Sequence, residues 1–261
     1  PKPTGPRVDG YSRIAGEYDM TYCVALNLAD GLVMASDTRT NAGVDHIATF
    51  AKMTVLEAPG RAVMVLMSAG NLATTQSVLS LLRQRVADDG QPAILHSRSL
   101  YDAAVEIGQL LREVISRDSG QHASGVDFGS SFLLGGQVFG EAPRLFNIYP
   151  QGNFIEATVD TPYFQIGEAK YGKPIIDRVV NFHTPLKEAS KCVLISFDST
   201  IRSNLSVGLP IDLLLYRRDG FQVSCKQRIG ESDPYYQMIR QTWSQGLRDT
   251  FARLADPEWA G

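Results

Sequence analysis

After residue 20, blocks of short apolar runs alternate with blocks of helical periodicity, and this order constrains the fold more than any other feature of the sequence. The blocks come as strands, helices, strands, helices, strands and a last helix. Sheets and amphipathic helices bury their apolar faces by stacking in layers, and short links between strand-like runs favour antiparallel pairing. The pattern predicts an α+β fold with two packed antiparallel sheets, helices on both outer faces and an extra C-terminal helix.

Turn signals and periodicity give the individual elements. An Asp30-Gly31 turn between apolar runs predicts an opening hairpin, and apolar residues at intervals of three or four predict helices. Thr184 and Pro185 are predicted to be the N-cap and the first residue of one helix. The predicted strands are 21–28, 32–36, 62–67, 128–138, 144–149, 153–156, 207–216 and 221–226. The predicted helices are 72–86, 100–114, 175–182, 185–199 and about 234–255.

Residues 1–20 are rich in proline, glycine and charge, whereas the segment after them is apolar and strand-like. We place a boundary between Met20 and Thr21, with one domain over residues 21–261. Methionine aminopeptidase removes Met before a small residue such as Thr, so translation from Met20 would expose the Thr21 amine. The alternatives are that residues 1–20 form a propeptide or an artificial leader.

Composition and charge argue against several classes of protein. The 261 residues are 44% hydrophobic and 20% charged, as in ordinary globular domains. A net charge of −3 without a basic stripe argues against nucleic acid, and no apolar run is long enough to span a bilayer. Three cysteines without a CxxC pair suggest a reducing compartment, so a cytoplasmic location is expected. Four scattered histidines lack metal-ligand spacing, and neither a metal nor a cofactor is expected.

The stretch from Thr21 to Met53 contains the residue types that a threonine nucleophile needs. A threonine hydroxyl attacks a carbonyl only if a base takes its proton. As a first residue, Thr21 would carry that base itself, because an α-amine has an unperturbed pKa of about 7.7–8.0. A Lys52 ammonium would favour the neutral amine, and Asp37 would hold Lys52 charged and oriented. The backbone N–H of Gly70, at a strand-to-helix turn, is the predicted oxyanion donor.

Each of these residues, taken alone, more often has a structural role: a strand threonine, a surface charge or a turn glycine. The combination and its spacing carry the prediction. The surrounding motifs add specificity. They are TYCV at 21–24, SDTRTNAGVD at 36–45, FAKM at 50–53, SAGN at 68–71, IGEAKYGKP at 166–174 and DSTIRSNLSVGLP at 198–210.

With these motifs the sequence resembles the Anbu (ancestral beta subunit) family of bacterial proteasome homologues, over essentially residues 20–240. The wider family contains proteasome beta subunits and HslV. The resemblance implies a four-layer αββα sandwich, a threonine-peptidase mechanism and self-assembly. It also implies the roles of the site residues, which are Thr21 as nucleophile, Asp37 and Lys52 as its electrostatic partners, Arg39 as a supporting residue and Gly70 as oxyanion donor. Ser206 matches a serine of the family, and Ser203 and Ser206 are both expected to hydrogen-bond the amine.

Two positions depart from the pattern of proteasome beta subunits. Glu168 stands where those subunits carry a serine after the glycine that corresponds to Gly167, and Ser203 stands where they carry an aspartate. A carboxylate near the α-amine would raise the amine's pKa and reduce the free base. With Ser203 in place of an aspartate, the hydrogen-bond network of Ser203 and Ser206 around the amine is expected to be less charged.

Three functions stay open at this stage. The chain is a threonine peptidase built from identical subunits, a non-catalytic structural subunit of the same fold, or a small-molecule amidase, because fold does not fix substrate. The expected partners are copies of the chain in a ring or spiral and a peptide or protein substrate, with an ATPase partner left open. The last helix carries an apolar stripe that packs either on the chain's own core or on a neighbouring subunit. The stripe consists of Ile239, Trp243, Leu247, Phe251 and Leu254.

Overall fold

A computed structural model describes residues 21–41, 47–120 and 126–260. Two antiparallel sheets of five strands each and a short two-stranded hairpin form its β-structure. The strands are β1 (Tyr22–Leu28), β2 (Gly31–Asp37), β3 (Arg39–Asn41), β4 (Ile47–Thr49), β5 (Met53–Ala58), β6 (Ala62–Gly70), β7 (Ser130–Val138), β8 (Arg144–Ile148), β9 (Phe154–Glu156), β10 (Tyr163–Gly167), β11 (Ile211–Arg217) and β12 (Cys225–Ile229). The helices are α1 (Leu72–Gln84), α2 (Leu100–Ser119), α3 (Lys173–Val179), α4 (Leu186–Ser203) and α5 (Pro234–Phe251).

The predicted four-layer αββα sandwich is confirmed. The first sheet has the strand order β10-β1-β2-β11-β12, and the second runs in chain order from β5 to β9. Apolar side chains from both sheets, such as Met34 and Leu133, meet in the middle layer. Helices α3 and α4 cover the outer face of the first sheet, and α1 and α2 cover that of the second. The alternation of side chains along each strand supplies both buried faces.

Local sequence explains where three of the helices begin. Asn71, Ser99 and Asp233 each accept a hydrogen bond from the backbone N–H three residues on, at the N-termini of α1, α2 and α5. These bonds satisfy donors that a helix otherwise leaves free. The cap on α1 fixes the turn directly after Gly70, and this turn belongs to the predicted site.

The predicted cap of α4 was wrong by one residue. Pro185 takes the N-cap position and Leu186 begins the helix. The Thr184 hydroxyl instead accepts a hydrogen bond from the Asn181 N–H at 2.9 Å. Because that hydroxyl closes the preceding turn, the helix starts without a side-chain cap.

The last hairpin also differs from the prediction. Its strands begin at Ile211 and Cys225, where we had predicted 207 and 221. Pro210 has no N–H for a sheet ladder, and Phe221 has a φ of +47°, which a strand residue does not adopt. Because of these two features, both strands begin later in the chain than predicted.

Other boundaries shift as well, and four strands were missed. Helix α3 spans Lys173–Val179, earlier than the predicted 175–182, and α5 ends at Phe251, short of residue 255. Strands β3, β4, β5 and β10 were not predicted. The predicted leader, residues 1–20, lies outside the described residues, so the boundary after Met20 stays a prediction.

None of the helices in the described ranges is both long and apolar enough to cross a membrane.

Candidate active site

Thr21 lies immediately before β1, and contacts with β10 and with the residue that follows β10 fix its position. The residue is only 3% exposed, and its carbonyl oxygen accepts a hydrogen bond from the Glu168 N–H at 2.7 Å. In the ladder between β1 and β10, Tyr22 lies opposite Gly167. Gly167 has a φ of +81°, and a Cβ there would lie 1.8 Å from the Thr21 oxygen. Only glycine allows this approach of the two strands.

Asp37 and Lys52 form a buried ion pair beside Thr21. Lys52 Nζ lies 2.8 Å from Asp37 Oδ1, and the two side chains are 8% and 0% exposed. The same carboxylate oxygen accepts the backbone N–H of Tyr22 at 3.0 Å. Lys52 Nζ also donates to the Arg39 carbonyl at 2.6 Å. The structure therefore brings the two predicted charged residues together and ties them to the residue that follows Thr21.

Burial and charge act in opposite directions on the Asp37 carboxyl. Desolvation raises its pKa above the ordinary value, and the positive charge of Lys52 opposes that shift. The pair is one electrostatic unit, because either charge left alone in this place would lose its main compensation.

Arg39 contributes through the segment that follows α4. Its guanidinium donates to the Leu205 carbonyl at 2.7 Å, and its side chain fills the space in which a Cβ on Gly208 would lie. Arg39 thereby holds the loop after α4 against the loop that leads from β2. Its supporting role in the chemistry stays a prediction.

The hydroxyl groups of the two predicted serines do not join these hydrogen bonds. Ser203 is exposed at the end of α4 and Ser206 is half-buried, and neither hydroxyl has a hydrogen bond among the described residues. The buried residue between them is Asn204, whose Oδ1 accepts the Ser206 N–H at 2.9 Å. Its Nδ2 donates to Glu168 Oε2 at 2.9 Å. The roles assigned to Ser203 and Ser206 stay predictions.

Asn204 and its bond to Glu168 were missed from the sequence. Glu168 is 6% exposed and also lies 3.7 Å from Lys170 Nζ. Both Glu168 and Asn204 stand inside the motifs quoted above, but nothing in a single sequence pairs residues that are 36 positions apart. The sequence offered no signal for Asn204, because its burial and its place directly after α4 appear only in the fold.

Gly70 lies at the end of β6, one residue before the N-cap of α1. Its φ is +109°, and a Cβ there would lie 2.5 Å from the Gly129 carbonyl oxygen. The N-terminus of α1 adds a partial positive charge at this turn. Gly70 and Glu168 both line one cleft of about 510 Å³, so the predicted oxyanion donor and the residue bonded to Thr21 share one opening.

No group of three or more metal-ligating side chains occurs in the ranges that the structure describes. His46 and His122 lie outside those ranges.

Comparison with protein families shows to which family the chain belongs. The profile of the family described as Proteasome subunit matches residues 20–212. The chain belongs to the proteasome subunit family.

Solved structures place this proteasome-family chain in the Anbu group. It is 56% identical to Anbu (ancestral beta-subunit) from Yersinia bercovieri, with a TM-score of 0.85, over 91% of this chain and 99% of that one. It is 55% identical to the chain in a structure titled as the helical assembly of the Anbu complex from Pseudomonas aeruginosa, with a TM-score of 0.87 over 92% and 99%. Anbu from Hyphomicrobium sp. strain MC1 is 49% identical, with a TM-score of 0.82 over 91% and 99%. Among curated proteins, none matches the sequence of this proteasome-family chain.

Proposed function

We propose that this chain is a threonine-type peptidase, with Thr21 as nucleophile once it is the first residue. The observation that carries the proposal is the buried pair of Lys52 and Asp37, whose carboxylate also accepts the N–H of Tyr22. A lysine charge held inside the protein next to a prospective N-terminal threonine favours the neutral amine that a self-activating nucleophile needs.

The proposed reaction uses the chain's own groups throughout. The Thr21 hydroxyl oxygen forms a bond to the substrate carbonyl carbon, and its proton passes to the Thr21 α-amine. The Gly70 N–H donates to the resulting oxyanion. The C–N bond then breaks, the leaving amine takes the proton, and an ester remains on Thr21. The Thr21 α-amine then takes a proton from water, whose oxygen bonds to the acyl carbon. The ester C–O bond breaks, and the proton passes from the amine to the Thr21 oxygen, which restores the hydroxyl.

Self-association and a cytoplasmic location complete the proposal. A related Anbu chain is described as a helical assembly, and helix α5 here exposes apolar side chains at its C-terminal end. We expect copies of this chain to associate through that end. The choice between ring and spiral, and any ATPase partner, do not alter the chemistry at Thr21.

The test compares three proteins with a set of quenched fluorescent peptides. The proteins are the chain beginning at Thr21, the same chain with Thr21→Ala, and the chain that keeps residues 1–20. Hydrolysis by the first protein alone supports the proposal. Hydrolysis that survives Thr21→Ala contradicts it. Assembly without hydrolysis in all three proteins favours the structural-subunit alternative, and cleavage of simple amides without cleavage of peptides favours the amidase alternative.

A further inference from the structure

The cleft shared by Gly70 and Glu168 continues inward between the two sheets. Strand β8 forms one wall, and its residue Asn147 lies opposite Leu133 of β7. Leu145, two residues earlier on the same face of β8, belongs to the apolar layer between the sheets. Asn147 therefore stands where the packed core ends and the cleft begins.

Asn147 has an unsatisfied side chain. The residue is 8% exposed, and its Oδ1 atom is buried without a hydrogen-bond donor anywhere in the described part of the chain. Five buried side-chain atoms in the described residues lack a hydrogen-bond partner, and among them only Asn147 Oδ1 belongs to a residue that lines the cleft. Each such atom loses its hydrogen bonds to water and gains none. An amide held at the inner end of an open cleft fits a site whose missing donor comes from a ligand.

Charge indicates which donor the cleft would accept. Two carboxylates line it, those of Asp127 and Glu168, and the described lining residues include no lysine, arginine or histidine. Lys170 approaches Glu168 only to 3.7 Å, and its side chain is 72% exposed, so solvent screens this pair. The described lining residues thus include two acidic residues and no basic one, and Asn147 offers a hydrogen-bond acceptor among them.

We propose that this cleft binds a basic side chain of the substrate, a guanidinium or an ammonium, at a residue next to the scissile bond. Asn147 Oδ1 accepts a hydrogen bond from that group, and the carboxylates of Glu168 and Asp127 supply the complementary charge. A cleft of about 510 Å³ is in the size range of ligand pockets and holds a long side chain. This specificity rests on the proposed peptidase function, because the cleft is lined by Gly70 and by Gly167 and Glu168, which adjoin Thr21.

The test uses paired peptides that differ only in arginine or its neutral isostere citrulline, placed either before or after the cleaved bond. For the chain that begins at Thr21, we expect kcat/KM to favour arginine by about tenfold or more at one of the two positions. Asn147→Leu and Asp127→Asn should each reduce this ratio, and Asn147→Asp should increase it. Glu113→Gln, an exposed change on α2, is the control that leaves the ratio unchanged.

A ratio near one at both positions, or a ratio that Asn147→Leu, Asn147→Asp and Asp127→Asn all leave unchanged, would overturn the inference while leaving peptide hydrolysis intact. If no peptide is hydrolysed, the proposed function fails separately. In that case, calorimetric titration of the Thr21→Ala protein with the same peptides decides the inference. Tighter binding of the arginine peptide, weakened by Asn147→Leu, supports it, and equal binding of both peptides contradicts it.

Discussion

Lys52 Nζ lies 2.8 Å from Asp37 Oδ1, inside the protein and next to the start of β1. The carboxylate is the more constrained partner, since it also accepts the Tyr22 N–H. Because burial raises the Asp37 pKa and Lys52 opposes the rise, the pair links the stability of the site to pH.

Replacing Lys52 with Met should destabilise the fold in a pH-dependent way. Without the lysine, the folded-state pKa of Asp37 lies further above its unfolded value of about 3.9. Protonation of Asp37 in the folded protein therefore stabilises this variant fully at pH values below the unfolded-state pKa of Asp37. This stabilisation is lost as pH rises through the folded-state pKa. The free energy of unfolding should fall by about 3–5 kcal/mol near neutral pH and by less in acid.

Denaturant unfolding at about pH 8 and about pH 5 measures this difference. Lys173→Met is the matched control, because it removes an exposed pair with Asp177 that contributes at most about 1 kcal/mol. Equal losses for Lys52→Met at the two pH values would show that Asp37 does not titrate as argued.

Gly167→Ala should displace Thr21 and abolish hydrolysis. The added Cβ would meet the Thr21 carbonyl oxygen at 1.8 Å, on backbone that also has positive φ. Gly60→Ala separates the two effects, because Gly60 has a φ of +75° with nothing within 4 Å of the new Cβ. The control should lose roughly 1–2 kcal/mol from backbone strain alone. A Gly167→Ala protein as stable and active as the Gly60→Ala protein would contradict the close approach.

Glu168→Gln should shift the pH dependence of hydrolysis to lower pH. Its backbone N–H donates to the Thr21 carbonyl, and we expect its carboxylate to act on the charge of the prospective amine. A neighbouring negative charge stabilises the ammonium form and raises the amine's pKa, and the free base then appears only at higher pH. The profile of kcat/KM against pH measures the shift, with Glu113→Gln as control. An acid limb that stays in place or moves to higher pH would remove Glu168 from this role.

The C-terminal end of α5 should hold copies of the chain together. Within this helix, only Tyr236 and Ile239 are buried against the described fold, whereas Leu247 and Phe251 are 53% and 78% exposed. Changing both exposed residues to Ser should reduce assembly in analytical ultracentrifugation without lowering the thermal stability of the subunit. Val159→Ser, at a comparably exposed position, is the control. A double variant that sediments like the unchanged protein would place the interface elsewhere.

Local signals were enough to predict much of the sandwich. The Asp30-Gly31 turn fixed the first hairpin, and helical periodicity identified α1, α2 and α4. Strand β10 was missed because Tyr163–Gly167 shows no clear alternation, and its strand conformation depends on pairing with β1. Such pairing is a tertiary property that five residues do not encode by themselves.

Some residues of the site could likewise be predicted from the sequence, whereas others could not. Asp37 and Lys52 were predicted because their chemistry is needed near a threonine nucleophile and they lie close to it in sequence. Asn204 was not, because its role comes from contact with Glu168 across the fold. The unsatisfied Asn147 oxygen likewise becomes visible only when two sheets enclose it.

The most direct test of the central claim is the intact mass, with peptide mapping, of the protein that begins at Thr21 after reaction with a peptide epoxyketone. This reagent closes a ring only with a hydroxyl and a free amine of one residue. We expect one adduct per chain, located on Thr21, and none when residues 1–20 are retained or when Lys52 is replaced with Met. An unmodified Thr21, or an adduct on another residue, would contradict it.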